Sequence, residues 1–148
     1  MRNINNPEDT KSIQDRISKL TSGSKGQWGK MNVNQMLRHL SDALRMQSGE
    51  IEVKDTGNFF THTVFKWVSL CGAPVPKNVP TFPPIDQVAR GVNPEDLQKE
   101  VDKLNTLIQR SLEPVESYYH PLFGKLSNSQ RGRINYIHMN HHLKQFGV

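Results

Sequence analysis

Cysteine is nearly absent: Cys71 is the one thiol in 148 residues. A single thiol cannot build an intrachain disulfide framework, and it excludes zinc held by several thiolates. Any metal here must use imidazole, carboxylate or water. It also fits a reducing compartment, and the opening Met1-Arg2-Asn3-Ile4-Asn5-Asn6 carries no apolar signal core, so a cytoplasmic location is expected. No apolar run reaches 18 residues, so neither a membrane span nor a membrane partner is expected. Strand signals are missing too, since no period-two alternation and no Asn-Gly hairpin turn occurs. Charge of one sign is not gathered anywhere. Nineteen Lys and Arg stand against 14 Asp and Glu, a net charge of +5, but the basic residues are scattered without a block or interleaved aromatics. Arg131 and Arg133 read as a solvated helix start. No specific nucleic-acid partner is expected; an anionic small-molecule substrate suits this surface.

What is present is helix punctuation. The length fits one domain spanning residues 1–148, long enough to bury a core. Asn6-Pro7-Glu8-Asp9 predicts a helix start, with a capping Asn, Pro at the first position and acids at the positive end of the dipole. A second helix is expected from Asn32 or Asn34 to about Ser48, with Val33, Met36, Leu37, Leu40, Ala43 and Leu44 as its apolar stripe and Gly49 closing it. A third apolar segment runs from Phe59 to Leu70 at roughly helical spacing. The proline-dense stretch Pro74 to Pro84 suits neither helix nor central strand and reads as an extended crossover, of a length that is usually functional or disordered. A fourth helix is predicted from Asn93-Pro94-Glu95-Asp96, with Leu97, Val101, Leu104, Leu107, Ile108 and Leu112 facing inward. Tyr118 to Gly124 reads as a connector. Ser127-Asn128-Ser129-Gln130 is a capping box that opens a last helix reaching about Phe146. About five helices and one long crossover predict an all-α helical bundle.

The chemistry-bearing feature is Ile137-His138-Met139-Asn140-His141-His142-Leu143. His138 and His142, four apart, share one helical face. Six histidines in 148 residues would by chance give about 0.24 such pairs, so the pair alone decides little. His39 adds context, because it borders the apolar stripe of the second helix. If the two helices are neighbours, three imidazole nitrogens converge, and three protein ligands with an open position characterise a catalytic metal site. His141 is an alternative to His142, but its offset from His138 is larger, about 60° against 40°. Met139 stands where a zinc protease would have its general-base Glu, so that class is excluded and no catalytic residue can be named. Asp42 and Gln145, each three residues past a candidate ligand, are candidates to orient the rings of His39 and His142. His120 before Pro121 reads as a turn residue or one at a pocket mouth. His62 reads as partly exposed without a role, Cys71 as a buried inert thiol, and Trp28 and Trp67 as core.

The blocks Trp28-Gly29-Lys30-Met31, Gln35 to Ala43 around His39, Pro76-Lys77-Asn78-Val79-Pro80-Thr81, and His120 through Leu126 to His142-Leu143-Lys144-Gln145-Phe146-Gly147-Val148 resemble the DinB/YfiT-like superfamily, and within it the DUF1569 branch. The resemblance implies a four-helix bundle in up-down-down-up order, here with an extra N-terminal helix and the proline-rich crossover. It implies a divalent metal, zinc or nickel, on His39, His138 and His142. Characterised relatives include transferases that use low-molecular-weight thiols, so the expected function is a metal-dependent enzyme, a thiol-dependent S-transferase or else a hydrolase, with a non-catalytic metal- or ligand-binding helical module as the alternative. A homodimer is compatible with the sequence, which does not fix the oligomeric state.

Overall fold

The computed structural model describes residues 1–148. Helix α1 (Pro7–Ile17) begins as its punctuation dictates, with the Asn6 side chain accepting from the Glu8 amide. Helix α2 (Val33–Gln47) is closed at its start by a reciprocal box between Asn32 and Gln35. A π turn (Thr61–Phe65) runs into the short helix α3 (Lys66–Leu70). A 3-10 turn (Pro83–Ile85) interrupts the proline-rich crossover. Helix α4 (Leu97–Ser111), strands β1 (Tyr118–His120) and β2 (Gly124–Leu126), and helix α5 (Asn128–Gln145) complete the chain. The Ser127–Gln130 capping box opens α5.

The main core lies where α1, α2, α4 and α5 meet. Ile13 and Ile17 from α1, Met36, Leu37 and Leu40 from α2, Leu104 and Ile108 from α4, and Met139 and Leu143 from α5 are all fully or almost fully buried there. Burying side chains of this size removes roughly 1.5–3 kcal/mol of apolar hydration each. A smaller core of Leu70, Tyr118, Phe123, Leu126 and Ile134 joins α3 and the hairpin to α5. Gly132 lets the N-terminal segment lie against α5, since a Cβ there would meet the side chains of Asn3 and Asn5.

The all-α four-helix bundle is overturned by two features. First, the stretch read as a connector forms an antiparallel two-stranded sheet, with Tyr118 opposite Leu126, Tyr119 opposite Lys125 and His120 opposite Gly124. Each strand is three residues long with the pattern buried, exposed, buried. Three residues are too few to declare a period of two, and the reversal depends on Gly124 at φ +66°. Second, the apolar segment 59–70 does not become a long core helix. Its π turn and α3 bury Leu70 but leave Phe59 84% and Trp67 59% exposed. The fold is therefore mostly helical with a small sheet.

Three local expectations also change. Helix α4 starts at Leu97 and is capped by Asp96, because Asn93 is occupied with the Asn32 side chain. Trp67 is not core, and Trp28 is half-buried, with the Lys77 ammonium 4.6 Å from its ring centre. Cys71, expected to be buried, is exposed just past the end of α3.

Candidate metal centre

Helix α2 points His39 inward beside Leu40, and α5 presents His138 and His142 one turn apart on the face opposite. The three rings pack edge to face, with centroids 5.0 Å apart for His39–His138 and 4.8 Å for His39–His142 and His138–His142. One ligating atom from each lies within 4.8 Å of the others, so the three can hold a metal ion. His39 and His142 are buried and His138 is partly exposed. His141 is not one of the three converging ligands; its ring lies between Trp28, 5.8 Å between centroids, and His142, 5.2 Å.

Hydrogen bonds set the tautomers. Nδ1 of His39 lies 3.1 Å from the carbonyl oxygen of Ile85. A carbonyl only accepts, so this nitrogen carries the proton and Nε2 keeps its lone pair. Nδ1 of His142 lies 2.8 Å from Oε1 of Gln145. The orientation of that amide is fixed independently, because Gln145 Nε2 donates to the carbonyl of Trp28 at 2.7 Å. His142 therefore also keeps a lone pair on Nε2. The loop makes this possible at Gly29, with φ +79°, where a Cβ would collide with the Gln145 amide nitrogen. Nε2 of His39 approaches Nε2 of His138 to 3.0 Å. Two imidazole nitrogens on a tetrahedral ion with bonds near 2.05 Å stand about 3.3 Å apart. The donor set fits a divalent ion of the kind that takes neutral imidazole.

The electrostatics agree with neutral rings. Burial pushes His39 below its ordinary value, against the opposing Ile85 bond. Burial, then the repulsion that would arise were His39 protonated as well, holds His142 down to about 3. His138 lies well below its ordinary value through burial first and then His142 and His39. Such rings stay unprotonated at neutral pH, which ligation requires.

Of the two residues expected to orient the rings, Gln145 bonds one directly and Asp42 does not. Asp42 is turned toward Arg45, three residues on, at 3.0 Å, and accepts from Gln87 Nε2 at 2.9 Å. Gln87 also donates to the Ile85 carbonyl at 3.2 Å, so Asp42 reaches His39 only through the crossover. The sequence reading missed Ile85 and Gln87. A backbone carbonyl has no side-chain signature, and only the density of prolines marked this stretch as worth building upon.

His120 is a further buried imidazole, set among Phe82, Tyr118 and Phe123. It is buried, and its Nδ1 accepts from the amides of Leu122 at 3.0 Å and Phe123 at 3.3 Å. Burial lowers it to about 4. It is thus a neutral ring whose Nε2 carries the proton.

A family model for a protein of unknown function, DUF1569, matches residues 6–147, and the chain belongs to that family. No curated protein and no solved structure matches it.

Proposed function

We propose that this member of the DUF1569 family is a metal-dependent enzyme whose divalent ion, zinc or nickel, is held by His39, His138 and His142. The observation that carries the reading is the fixed pair of tautomers. Ile85 and Gln145 each hold an Nδ1 proton, and so leave the Nε2 lone pairs of His39 and His142 free beside His138. When bound, an ion with three neutral ligands keeps its full double charge and lowers the pKa of a water or thiol offered to its remaining position.

The protein's own groups then have separate tasks. Ile85 and Gln145 keep two rings from turning. The crossover, tied to α2 through Gln87 and Asp42, shields His39 from water. His120 supplies an Nε2–H for a neighbouring polar or anionic group, and being neutral it adds no charge that would repel an ion. The reaction class assigned is transfer of a low-molecular-weight thiol to an electrophile, in keeping with the DinB/YfiT-like superfamily in which we place the chain. A carbon–sulfur bond forms, the leaving group departs with its electron pair, and the thiol proton passes to solvent.

The test is metal analysis of the purified protein, joined to conjugation assays with several thiols and a panel of electrophiles. One equivalent of metal and thiol-dependent turnover that is lost with the metal are expected. Absence of bound metal after incubation with zinc and with nickel would overturn the metal reading. Bound metal without turnover on any thiol would leave a binding module instead.

A further inference from the structure

We infer that the outer face of residues 59–70 is where two copies of this chain pair. Six large apolar side chains, Phe59, Phe60, Val64, Phe65, Trp67 and Val68, are exposed on this one segment, outside both cores.

The π turn is what gathers them. Along an uninterrupted α-helix at 100° per residue, these six would spread over about 240° of the helix circumference. The wider π turn at Thr61–Phe65 advances about 82° per residue, and brings the same six within an arc of about 160°. The opposite side carries Thr61, His62, Lys66, Ser69 and Leu70, all half-buried or buried. The phase of burial along the segment therefore follows the π geometry. The face is also held firmly. Leu70 enters the smaller core, and Phe65 stacks on Phe123 at 5.8 Å.

The occupant follows from area and charge. From their fractional exposures the six residues offer about 750 Å², close to the ~800 Å² each partner contributes to a standard interface and above the largest patch usual on a monomer. The face has no charged side chain of its own. Lys66 turns its ammonium back to the Lys125 carbonyl at 2.7 Å, and the nearby Asp55 is engaged by Tyr119 at 2.9 Å. Two identical uncharged faces can meet about a two-fold axis without like charges opposing one another. An anionic bilayer or a nucleic acid would instead find no cation presented there.

Sedimentation equilibrium of the full chain across the micromolar range tests this. The wild type is expected to be a dimer. Phe60→Glu with Trp67→Glu should be monomeric with an unchanged helical circular dichroism spectrum, each substitution weakening association by at least about 30-fold. The milder Phe59→Ser should weaken it as well, should the double variant misfold. Val115→Glu, an exposed apolar position elsewhere, should leave the dimer intact. A wild type that stays monomeric throughout would overturn the inference. So would a dimer that survives the folded double variant. A monomer that instead co-sediments with phosphatidylcholine–phosphatidylglycerol vesicles, and loses this with the double variant, would assign the face to lipid. None of these readouts depends on metal.

Discussion

His39 and His138 are 99 positions apart in the chain, yet their Nε2 atoms stand 3.0 Å from each other. Because Ile85 takes the Nδ1 proton of His39, both nitrogens can turn lone pairs to one centre only if a cation sits between them; otherwise His138 must place its own proton there. Replacement of His39 or His138 by Ala is therefore expected to lower zinc affinity by at least about 100-fold, beyond the usual effect of altering an orienting partner. Competition titration with a chromophoric chelator measures it. Zinc at 100 times its dissociation constant should stabilise the wild type by about 2.7 kcal/mol, and the His39→Ala protein by about 0.4 kcal/mol or less at the same concentration. Equal stabilisation of both would place the ion elsewhere.

Gln145 links the loop at Trp28 to the ring of His142. Gln145→Leu keeps the volume but removes both bonds. Metal affinity should fall about 10- to 100-fold with the metal still stoichiometric at saturation. Gly29→Ala should act in the same direction without touching a ligand, since it forces a side chain into a left-handed backbone position and displaces the Gln145 amide. If Gly29→Ala binds zinc as the wild type does, the loop does not position His142.

The helices were legible because their signals are local. Asn32 with Gln35, and Ser127 with Gln130, cap the helices on which the histidines ride, and the stripe from Val33 to Leu44 gives α2 its inward face. The spacing of His138 and His142 placed them on one face, and the stripe placed His39 toward the core. The elements that eluded the sequence depend on contacts between distant segments or on backbone geometry. Two three-residue strands are stabilised by each other and by Leu70 and Ile134, not by a pattern of their own. The π turn adds nothing to composition, so Trp67 looked like core. Asp42 looked suited to orient His39, but an arginine three residues on competes for it, and the carbonyl of Ile85 took the task.

The buried histidines give the protein an acid limit. His120 and His142 titrate near 6.5 when unfolded but are held by burial at about 4 and about 3 in the fold. The unfolded chain thus binds more protons between these values, so stability rises with pH in that window. The contribution is complete above pH 6.5 and is lost as pH falls toward the folded values. Each ring is expected to remove about 1.4 kcal/mol per pH unit once well below 6.5, with His39 and His138 acting in the same direction. Urea titrations of the metal-free protein at pH 7, 6 and 5 check the slope. Saturating zinc should move the loss to lower pH, because a ligated ring is blocked from protonation. Metal-free stability that is flat from pH 7 to 5 would mean that the rings are solvated.

Beside the apolar contacts that pack α2 on α4, one ion pair crosses between the two helices. Nε of Arg38 donates to Glu100 Oε2 at 2.7 Å, and Nη2 to Oε1 at 2.5 Å, so the guanidinium grips the carboxylate at two points. Glu100 is 2% exposed, while Arg38 keeps about a quarter of its side chain in water. The two ends therefore respond differently to truncation. Arg38→Ala strands a buried carboxylate and should cost about 3 kcal/mol, near the range for breaking a buried pair. Glu100→Ala leaves a guanidinium that can turn to solvent and should cost less, about 2 kcal/mol, part of it from the void left behind. The order of the two losses is the informative quantity, and chemical denaturation of each variant at pH 7 measures it. Because Arg38 immediately precedes His39 on α2, zinc affinity measured on the same proteins reports whether the helix shifts; we expect a change below about threefold, since Ile85 and the α5 histidines hold the ring from the other side. A larger loss of Glu100→Ala than of Arg38→Ala would show that the guanidinium, and not the carboxylate, is the group the fold cannot release to water.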